Sequence, residues 1–391
     1  MSERVGDADG AVSSRPAGSP GLDIDAVVTD PSIRIVVCCG AGGVGKTTTA
    51  AALALRAAEA GRRTVVLTID PARRLAQSMG LTELDNSPRP VPDVDAANGG
   101  ELHAMMLDMK RTFDEVVLAH TDPAKAAEIF ANPFYQAMSS TFAGTQEYMA
   151  MEKLSQLRAT DRWDLIVVDT PPSRSALDFL DAPQHLAKFL DGRMLRLLLV
   201  PARTGGRSVL RLMTASFSLV GRAFTRVLGT ELISDVSTFV SSLDSTFGGF
   251  RQRAERTYRV LQAKETAFLL VAAPEPDAIR EATYFAERLA SDRMPLHGLV
   301  LNRVHEVAAP ALSVERSLGA AESLPDDLGT TAAVLRIHAA LRRQVERERQ
   351  VADRFTHAHP AVPMAAVPAM AEDVHDLAGL RAVGDALADA H

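Results

Sequence analysis

Residues 40–47 have the composition and spacing of a phosphate-binding loop. They read GAGGVGKT, which fits the pattern G-x-x-x-x-G-K-[ST]. Glycines at this spacing let successive backbone N–H groups turn inward around a polyphosphate. A helix that begins at the end of the loop adds the partial positive charge of its N-terminus. The pattern predicts a nucleotide site whose binding residues are Gly40, Gly42, Gly43, Val44, Gly45, Lys46, Thr47 and Thr48.

The segments on either side of the loop argue against a chance match in an Ala/Gly-rich chain. Residues 33–39 (IRIVVCC) form a short β-branched apolar run, which is typical of a buried strand. Residues 47–61 are rich in Ala and Leu and end in a glycine, which is typical of a helix. The order strand, loop, helix is the context that the motif requires.

Two aspartates follow predicted strands and are expected at the same sheet edge as the loop. Asp70 follows the apolar run 64–69, and Asp169 follows the run 163–168. Asp70 has two interpretations: it orients or deprotonates the water that attacks a γ-phosphate, or it caps the next helix. Asp169 matches the second acidic element of a loop ATPase, which supports Mg²⁺ through a water or through the Thr47 hydroxyl. Because both aspartates precede a proline or a Thr-Pro pair and follow a phosphate loop, their combination favours the functional interpretation of Asp70.

The rest of the chain predicts an α/β fold, with a mostly parallel P-loop NTPase sheet and helices on both faces. Further strands are predicted at 102–107, 267–272, 296–301 and 362–367, and further helices at 279–289, 331–357 and 377–388. We expect mostly helical insertions at about 108–161 and 183–264, above the ligand edge. Residues 1–28 are polar and rich in Gly, Pro and Ser, which predicts a disordered tail before one ATPase domain at 29–391. Residues 85–100 have the composition of a linker.

Composition argues against some classes of protein. The net charge of −7 and the pI near 5.8 disfavour a nucleic-acid-binding protein, since such proteins usually carry a basic excess. No apolar run approaches the roughly 20 residues of a membrane span, and the first residues are acidic rather than a signal sequence, so we expect a cytoplasmic protein that is not itself transmembrane. Cys38 and Cys39 are adjacent on a predicted strand, so their side chains point to opposite faces and do not share a metal.

Several motifs together resemble the arsenite-pump ATPase family, whose other well-known branch targets tail-anchored membrane proteins. The resemblance covers nearly everything from residue 31 onward. In residues and order, 31–48, 144–183 and 298–303 resemble actinobacterial members described as anion-transporting ATPases. The motifs are GAGGVGKTT (40–48), TIDPARRLAQ (68–77), GTQEYMAMEKL (144–154), VVDTPPSRSALDFLDAP (167–183), GLVLNR (298–303) and VPAMAEDV (367–374).

The resemblance implies a role for individual residues. Lys46 would contact the β- and γ-phosphates and Thr47 the Mg²⁺, while Asp70 would position the attacking water and Asp169 would support the metal. Asn302 would read the adenine edge with Pro368 against the ring, which implies ATP rather than GTP. The expected cofactors are therefore ATP and Mg²⁺, and the expected catalytic residues are Asp70 and Lys46.

Residues that differ from the family pattern predict how this chain would differ from other members. Family members carry a lysine at the second loop position, which reaches the partner's phosphates across a dimer; here that residue is Ala41. We therefore expect weak hydrolysis by a self-dimer and a heterodimer with a paralogous ATPase subunit that keeps the lysine. The motif at 167–183, which corresponds to the second nucleotide-sensing switch of the family, departs from the family pattern at Pro171, Arg174 and Ser175. The helical insertions contain no cysteine, so neither an arsenite site nor an intersubunit zinc clamp is carried over.

Three functions remain open on the sequence. The first is a dimeric ATPase subunit that couples its nucleotide state to a client or membrane partner. The second is a nucleotide-dependent chaperone or targeting factor for apolar membrane-protein segments. An apolar stripe at 209–227 would suit such a client, although a stripe of this kind more often packs into a core. The third is a partition-type ATPase that binds DNA or membrane.

Overall fold

An eight-stranded sheet forms the centre of the molecule. The computed structural model describes residues 20–70, 74–132, 135–136, 145–171 and 255–390. The strand order is β3-β4-β2-β5-β1-β6-β7-β8, and every pairing is parallel except that of β3 with β4. The predicted α/β class and mostly parallel sheet are confirmed. The strands are β1 (Ile35–Cys39), β2 (Arg63–Thr68), β3 (Arg89–Pro90), β4 (Glu101–Met106), β5 (Leu165–Asp169), β6 (Thr266–Ala272), β7 (Leu296–Val304) and β8 (Met364–Pro368).

The central strands are apolar along nearly their whole length because both faces of the sheet are covered. Every residue of β1, β5 and β6 is buried. The described helices are α1 (Ile24–Thr29), α2 (Lys46–Glu59), α3 (Arg74–Ser78), α4 (Met109–His120), α5 (Pro123–Ala131), α6 (Thr145–Ala159), α7 (Pro276–Ser291), α8 (Val314–Ser323), α9 (Gly329–Ala358) and α10 (Leu377–Ala388).

The helices form two layers. The chain moves one way across the sheet from β1 to β2 and the other way from β6 through β7 to β8, so right-handed crossovers place α2 and α7 on opposite faces. In agreement, α2 packs against α1 and α10, whereas α7 packs against α9. The carboxyl ends of β1, β2 and β5 meet at one edge of the sheet, where α2 begins.

The structure describes part of the two predicted insertions. Helices α4, α5 and α6 lie within 108–161. Most of the predicted insertion at 183–264, including the apolar stripe at 209–227, lies outside the described residues, as do Arg174 and Ser175. Residues 255–262 are helical and lead into β6. Among the described helices, none combines the length and the apolar character that a membrane span requires.

Regular structure begins before residue 29, the predicted start of the domain. The prediction of a disordered tail is wrong for residues 20–28, because Gly21 pairs with Met364 of β8 and α1 begins at Ile24. Leu22 and Ile24 are buried in the core, and the Asp23 carboxylate caps α1 by accepting from the Ala26 N–H. Apolar burial and a helix cap thus outweigh the polar composition of this segment. Two further elements, β3 within the predicted linker and α8, were not predicted.

Candidate nucleotide site

The glycine-rich loop joins β1 to α2 by a path that two of its glycines make possible. Gly40 lies so close to β6 that a Cβ there would stand 2.0 Å from the Val271 carbonyl oxygen. Gly45, the N-cap of α2, has φ 96°, and a Cβ there would stand 2.2 Å from Nδ2 of Asn302. A side chain at Gly40 would overlap the backbone of β6, and one at Gly45 would strain the backbone and displace the Asn302 amide. The loop therefore packs tightly against β6 and β7, with its last glycine at the helix N-terminus.

Lys46 is held inside the loop. It is only 6% exposed, and its ammonium donates to the Ala41 carbonyl oxygen at 2.6 Å. Burial lowers the pKa of the Lys46 ammonium, and the neighbouring Asp169 carboxylate partly opposes that shift. A cation held in this way is available to a polyanion without first losing a full shell of water.

Asp169, the last residue of β5, is the most deeply buried acid of the site. Its Oδ2 accepts from the hydroxyls of Thr47, at 2.8 Å, and Thr68, at 2.9 Å. Its Oδ1 is buried and has no hydrogen-bond partner among the described residues. Burial raises the pKa of the Asp169 carboxyl to about 6, although both hydroxyls and the charge of Lys46 lower it.

Asp70 lies on the neighbouring strand tip. Strand β2 pairs with β5 so that Thr68 is opposite Asp169, and the Ile69 N–H donates to the Asp169 carbonyl oxygen at 3.0 Å. The Asp70 N–H donates to the Thr68 hydroxyl at 3.2 Å, and the Asp70 residue itself is half-buried. The two acids therefore follow adjacent strands at one edge. Because residues 71–73 lie outside the described part of the chain, the capping interpretation of Asp70 stays open.

The donor set at this edge fits a hydrated Mg²⁺. Magnesium prefers oxygen ligands and keeps several of its waters. The Oδ1 of Asp169, which has no partner among the described residues, is a buried acceptor that such a water would satisfy, and the adjacent Thr47 hydroxyl would offer a second oxygen. The nearby thiols do not suit a metal, since Cys38 and Cys39 are fully buried in β1 and burial raises the pKa of the Cys39 thiol to about 12.

The two residues predicted to read the base lie near the carboxyl ends of β7 and β8, on the other side of the loop. Asn302 lies near the carboxyl end of β7, where its Nδ2 donates to the Val44 carbonyl oxygen at 2.9 Å. Pro368 ends β8 and is paired with Val304. The structure thus brings Asn302 to the phosphate loop, and its contact with adenine, like that of Pro368, stays a prediction.

Sequence reasoning missed two threonines that order the acidic edge. Thr68 shares the Asp169 carboxylate with Thr47, and Thr170 donates its hydroxyl to the Cys38 carbonyl oxygen at 2.8 Å. Both flank the predicted aspartates in the sequence, as Thr-Ile-Asp and Asp-Thr. The role of Thr68 depends on the pairing of β2 with β5, which the sequence does not display.

Gly45→Ala is expected to weaken both folding and nucleotide binding. An alanine at φ 96° costs about 1 to 2 kcal/mol. In addition, the new Cβ displaces the Asn302 amide, for which we expect a roughly 10-fold weaker Mg-ADP affinity. Gly80→Ala is the matched control, because Gly80 has φ 67° with open space around it and lies outside the loop. Urea unfolding measures the stability of both variants, and calorimetric titration measures their affinity for Mg-ADP. Equal Mg-ADP affinities in Gly45→Ala and Gly80→Ala would contradict the prediction.

Comparisons with known proteins agree with the geometry. A family model described as "Anion-transporting ATPase" matches residues 33–311, more than half of the chain. "ATPase ASNA1 homolog 2" of Paramecium tetraurelia is 23% identical over 282 residues, which are 71% of this chain and 78% of that protein. "ATPase GET3C" of Arabidopsis thaliana is 25% identical over 68% of this chain and 65% of its own length. "ATPase GET3" of Malassezia globosa is 27% identical over 42% of this chain and 46% of its own length.

Proposed function

Because the chain belongs to the family of anion-transporting ATPases and is a P-loop ATPase, we propose that it is one subunit of a dimeric ATPase that couples its nucleotide state to a client or membrane partner. The observation that supports this best is the convergence of Lys46, Thr47 and Asp169 at the carboxyl edge, where Thr47 and Asp169 share a hydrogen bond. Asp70 follows the adjacent strand. This arrangement combines a phosphate cradle, a metal-supporting acid and a second acid for water.

The proposed roles follow from the chemistry of each group. The loop amides and Lys46 hold the phosphates, and Thr47 and Asp169 hold Mg²⁺. When bound, Mg²⁺ neutralises charge on the β- and γ-phosphate oxygens. Asp70 follows the strand next to that of Asp169, and its carboxylate is proposed to orient a water against the γ-phosphate. Asn302 and Pro368 are proposed to select adenine.

We further propose that a partner subunit supplies the cation that this loop lacks. The Ala41 carbonyl oxygen binds Lys46 of the same chain, and the Ala41 side chain carries no charge. A charge supplied in trans is worth roughly 10³ to 10⁵ in rate in related phosphoryl transfers. The partner is proposed to be a paralogue with lysine at this loop position, rather than a second copy of this chain.

Ala41→Lys is expected to raise the ATP turnover of the purified chain at least about 10-fold, because it restores a cation to each loop of a self-dimer. Ala41→Gln is the control, since it adds a long polar side chain without charge. The wild-type chain alone is expected to be slow, and faster with the paralogue present. Brisk turnover by the wild-type chain alone, abolished by Asp70→Asn, would refute the need for a partner.

A nucleotide-dependent chaperone or targeting factor is the second candidate. Val334 (59% exposed) and Ile337 (67% exposed) lie one turn apart near the beginning of α9, and neighbouring exposed apolar side chains favour contact with an apolar partner. Hydrogen exchange with an apolar peptide present tests this idea. Absence of protection in α9 and in residues 183–264, with ATP and with ADP, would remove it. The net charge of −7 disfavours the partition-type alternative.

A further inference from the structure

Two polar contacts, joined by the backbone from Asn302 to His305, link the phosphate loop to a buried acid on α9. Asn302 contacts Val44 in the loop, and His305 contacts Glu348 on α9. None of the proposed chemistry uses Glu348, although this carboxylate is 10% exposed and its polar partners come from the end of β7 and from α9 itself. Among the described residues, the polar contacts of Glu348 are with His305 and Gln344 and not with the loop, so an effect on the phosphate site would be indirect.

Asn302 sets the direction of one loop amide. The carbonyl of Val44 and the N–H of Gly45 belong to one trans peptide plane and point in opposite directions. Asn302 donates to that carbonyl at 2.9 Å. Its amide therefore fixes the Gly45 N–H on the far side of the peptide, away from β7. A shift of Asn302 would free this peptide to rotate, so the position of Asn302 matters for the cradle.

A bulge in β7 places Asn302. The register between β7 and β8 shifts between Asn302 and Val304, so Arg303 forms the bulge. Arg303 has φ 63°, a conformation that residues other than glycine rarely adopt and that must be held by its surroundings. On one side the Val304 carbonyl oxygen accepts from the Ala369 N–H at 2.9 Å. The next residue, His305, makes further contacts on the same side of the bulge.

Glu348 contacts His305 through both carboxylate oxygens. It accepts from the His305 backbone N–H at 2.9 Å through Oε2 and from His305 Nδ1 at 2.7 Å through Oε1. Since a carboxylate only accepts, Nδ1 carries the proton. Gln344, one turn earlier on α9, donates to the same Oε1 at 3.0 Å. One carboxylate thus anchors both the backbone and the side chain of the residue two places beyond Arg303.

We propose that Glu348 is a positioning residue for the phosphate loop, acting through His305, the Arg303 bulge and Asn302. The inference rests on the proposed nucleotide site and adds to it a residue that touches neither nucleotide nor metal. If Glu348 only stabilised the fold, its loss would lower stability without changing the contribution of Asn302 to binding.

A double-mutant cycle on Mg-ADP affinity separates the two roles. In calorimetric titrations of the full chain, we expect Asn302→Ala to weaken Mg-ADP binding about 10-fold and Glu348→Ala about 5-fold. Because both act on the same peptide, the double variant is expected to lose about 10-fold rather than the product of about 50-fold. Glu346→Ala is the matched control, since it removes the same charge from an exposed position on α9 and should leave the affinity unchanged.

Each outcome supports or overturns the inference. The inference would be overturned if the losses of Mg-ADP affinity in the two single variants multiplied in the double variant, or if Glu348→Ala left the affinity unchanged. In either case, binding by the wild-type chain would still support the nucleotide site. A wild-type chain that bound no Mg-ADP would overturn the proposed function and this inference with it. Should Glu348→Ala not fold, His305→Ala takes its place in the cycle, because the His305 side chain is 38% exposed and its removal leaves the backbone contact to Glu348.

Discussion

Replacing Lys46 with methionine is expected to lower ATP turnover about 10³-fold while leaving the chain folded. Methionine keeps most of the length and the apolar stem but removes the charge that would meet the β- and γ-phosphates. Lys46 is 6% exposed, and burial lowers the pKa of its ammonium, so the charge is costly to the fold without a polyanion. Its loss also removes the hydrogen bond to Ala41. Relief from burying the charge stabilises the variant, and loss of the hydrogen bond destabilises it. We expect the free energy of unfolding to change by no more than about 1 kcal/mol.

Steady-state phosphate release and urea unfolding check this prediction. Lys110→Met is the control, because Lys110 is an exposed lysine of α4 whose ion pair with Asp114 lies outside the site. It removes the same charge and should leave turnover unchanged. If Lys46→Met kept more than about a tenth of the wild-type turnover, Lys46 would not be the phosphate-binding lysine.

Asp169→Asn is expected to abolish most of the turnover and yet stabilise the nucleotide-free chain at neutral pH. The pKa of the Asp169 carboxyl is raised from 3.8 to about 6 by burial, so the folded chain binds a proton more tightly than the unfolded chain. Folding stability therefore falls as the pH rises from about 4 to 6, and the whole penalty, on the order of 2 to 3 kcal/mol, is present above about pH 6. Asparagine mimics the neutral carboxyl and removes that penalty.

The pH dependence distinguishes this effect from ordinary destabilisation. Urea unfolding should show Asp169→Asn more stable than the wild-type chain at about pH 8, with a smaller advantage at about pH 5. Asp164→Asn should behave in the opposite way, because the Arg63 guanidinium lowers the pKa of the Asp164 carboxyl to about 2, so its ionised form stabilises the fold at both pH values. A less stable Asp169→Asn chain at the higher pH would contradict the account of this acid.

Local patterns predicted much of the fold. Strand β1, the loop and α2 follow one another within about 25 residues, and the β-branched run, the glycines and the alanines each favour the structure that forms. The same holds for β5 and β6, whose apolar runs reflect cover on both faces. The two aspartates were found because strand ends at a ligand edge are recognisable in sequence.

Contacts that depend on which strands are neighbours in the folded sheet could not be predicted from the sequence. The sharing of the Asp169 carboxylate by Thr47 and Thr68 requires β2 to lie beside β5, although 96 residues separate the end of one from the start of the other in the printed sequence. The contact of Asn302 with Val44 depends on β6 and β7 lying beside the loop. The bulge at Arg303 carries no local signal, because arginine does not favour a positive φ. Such features arise from the register of the whole sheet.

Asp169 is proposed to support a metal beside a nucleotide held by the loop, and the other proposed roles depend on this one. Calorimetric titration of the wild-type chain with ATP, in the presence and absence of Mg²⁺, tests it most directly. We predict saturable binding of one ATP per chain, at least about 10-fold tighter with Mg²⁺, and loss of that magnesium effect in Asp169→Asn. The absence of saturable binding, or the same affinity for ATP with and without Mg²⁺ in the wild-type chain, would contradict this role.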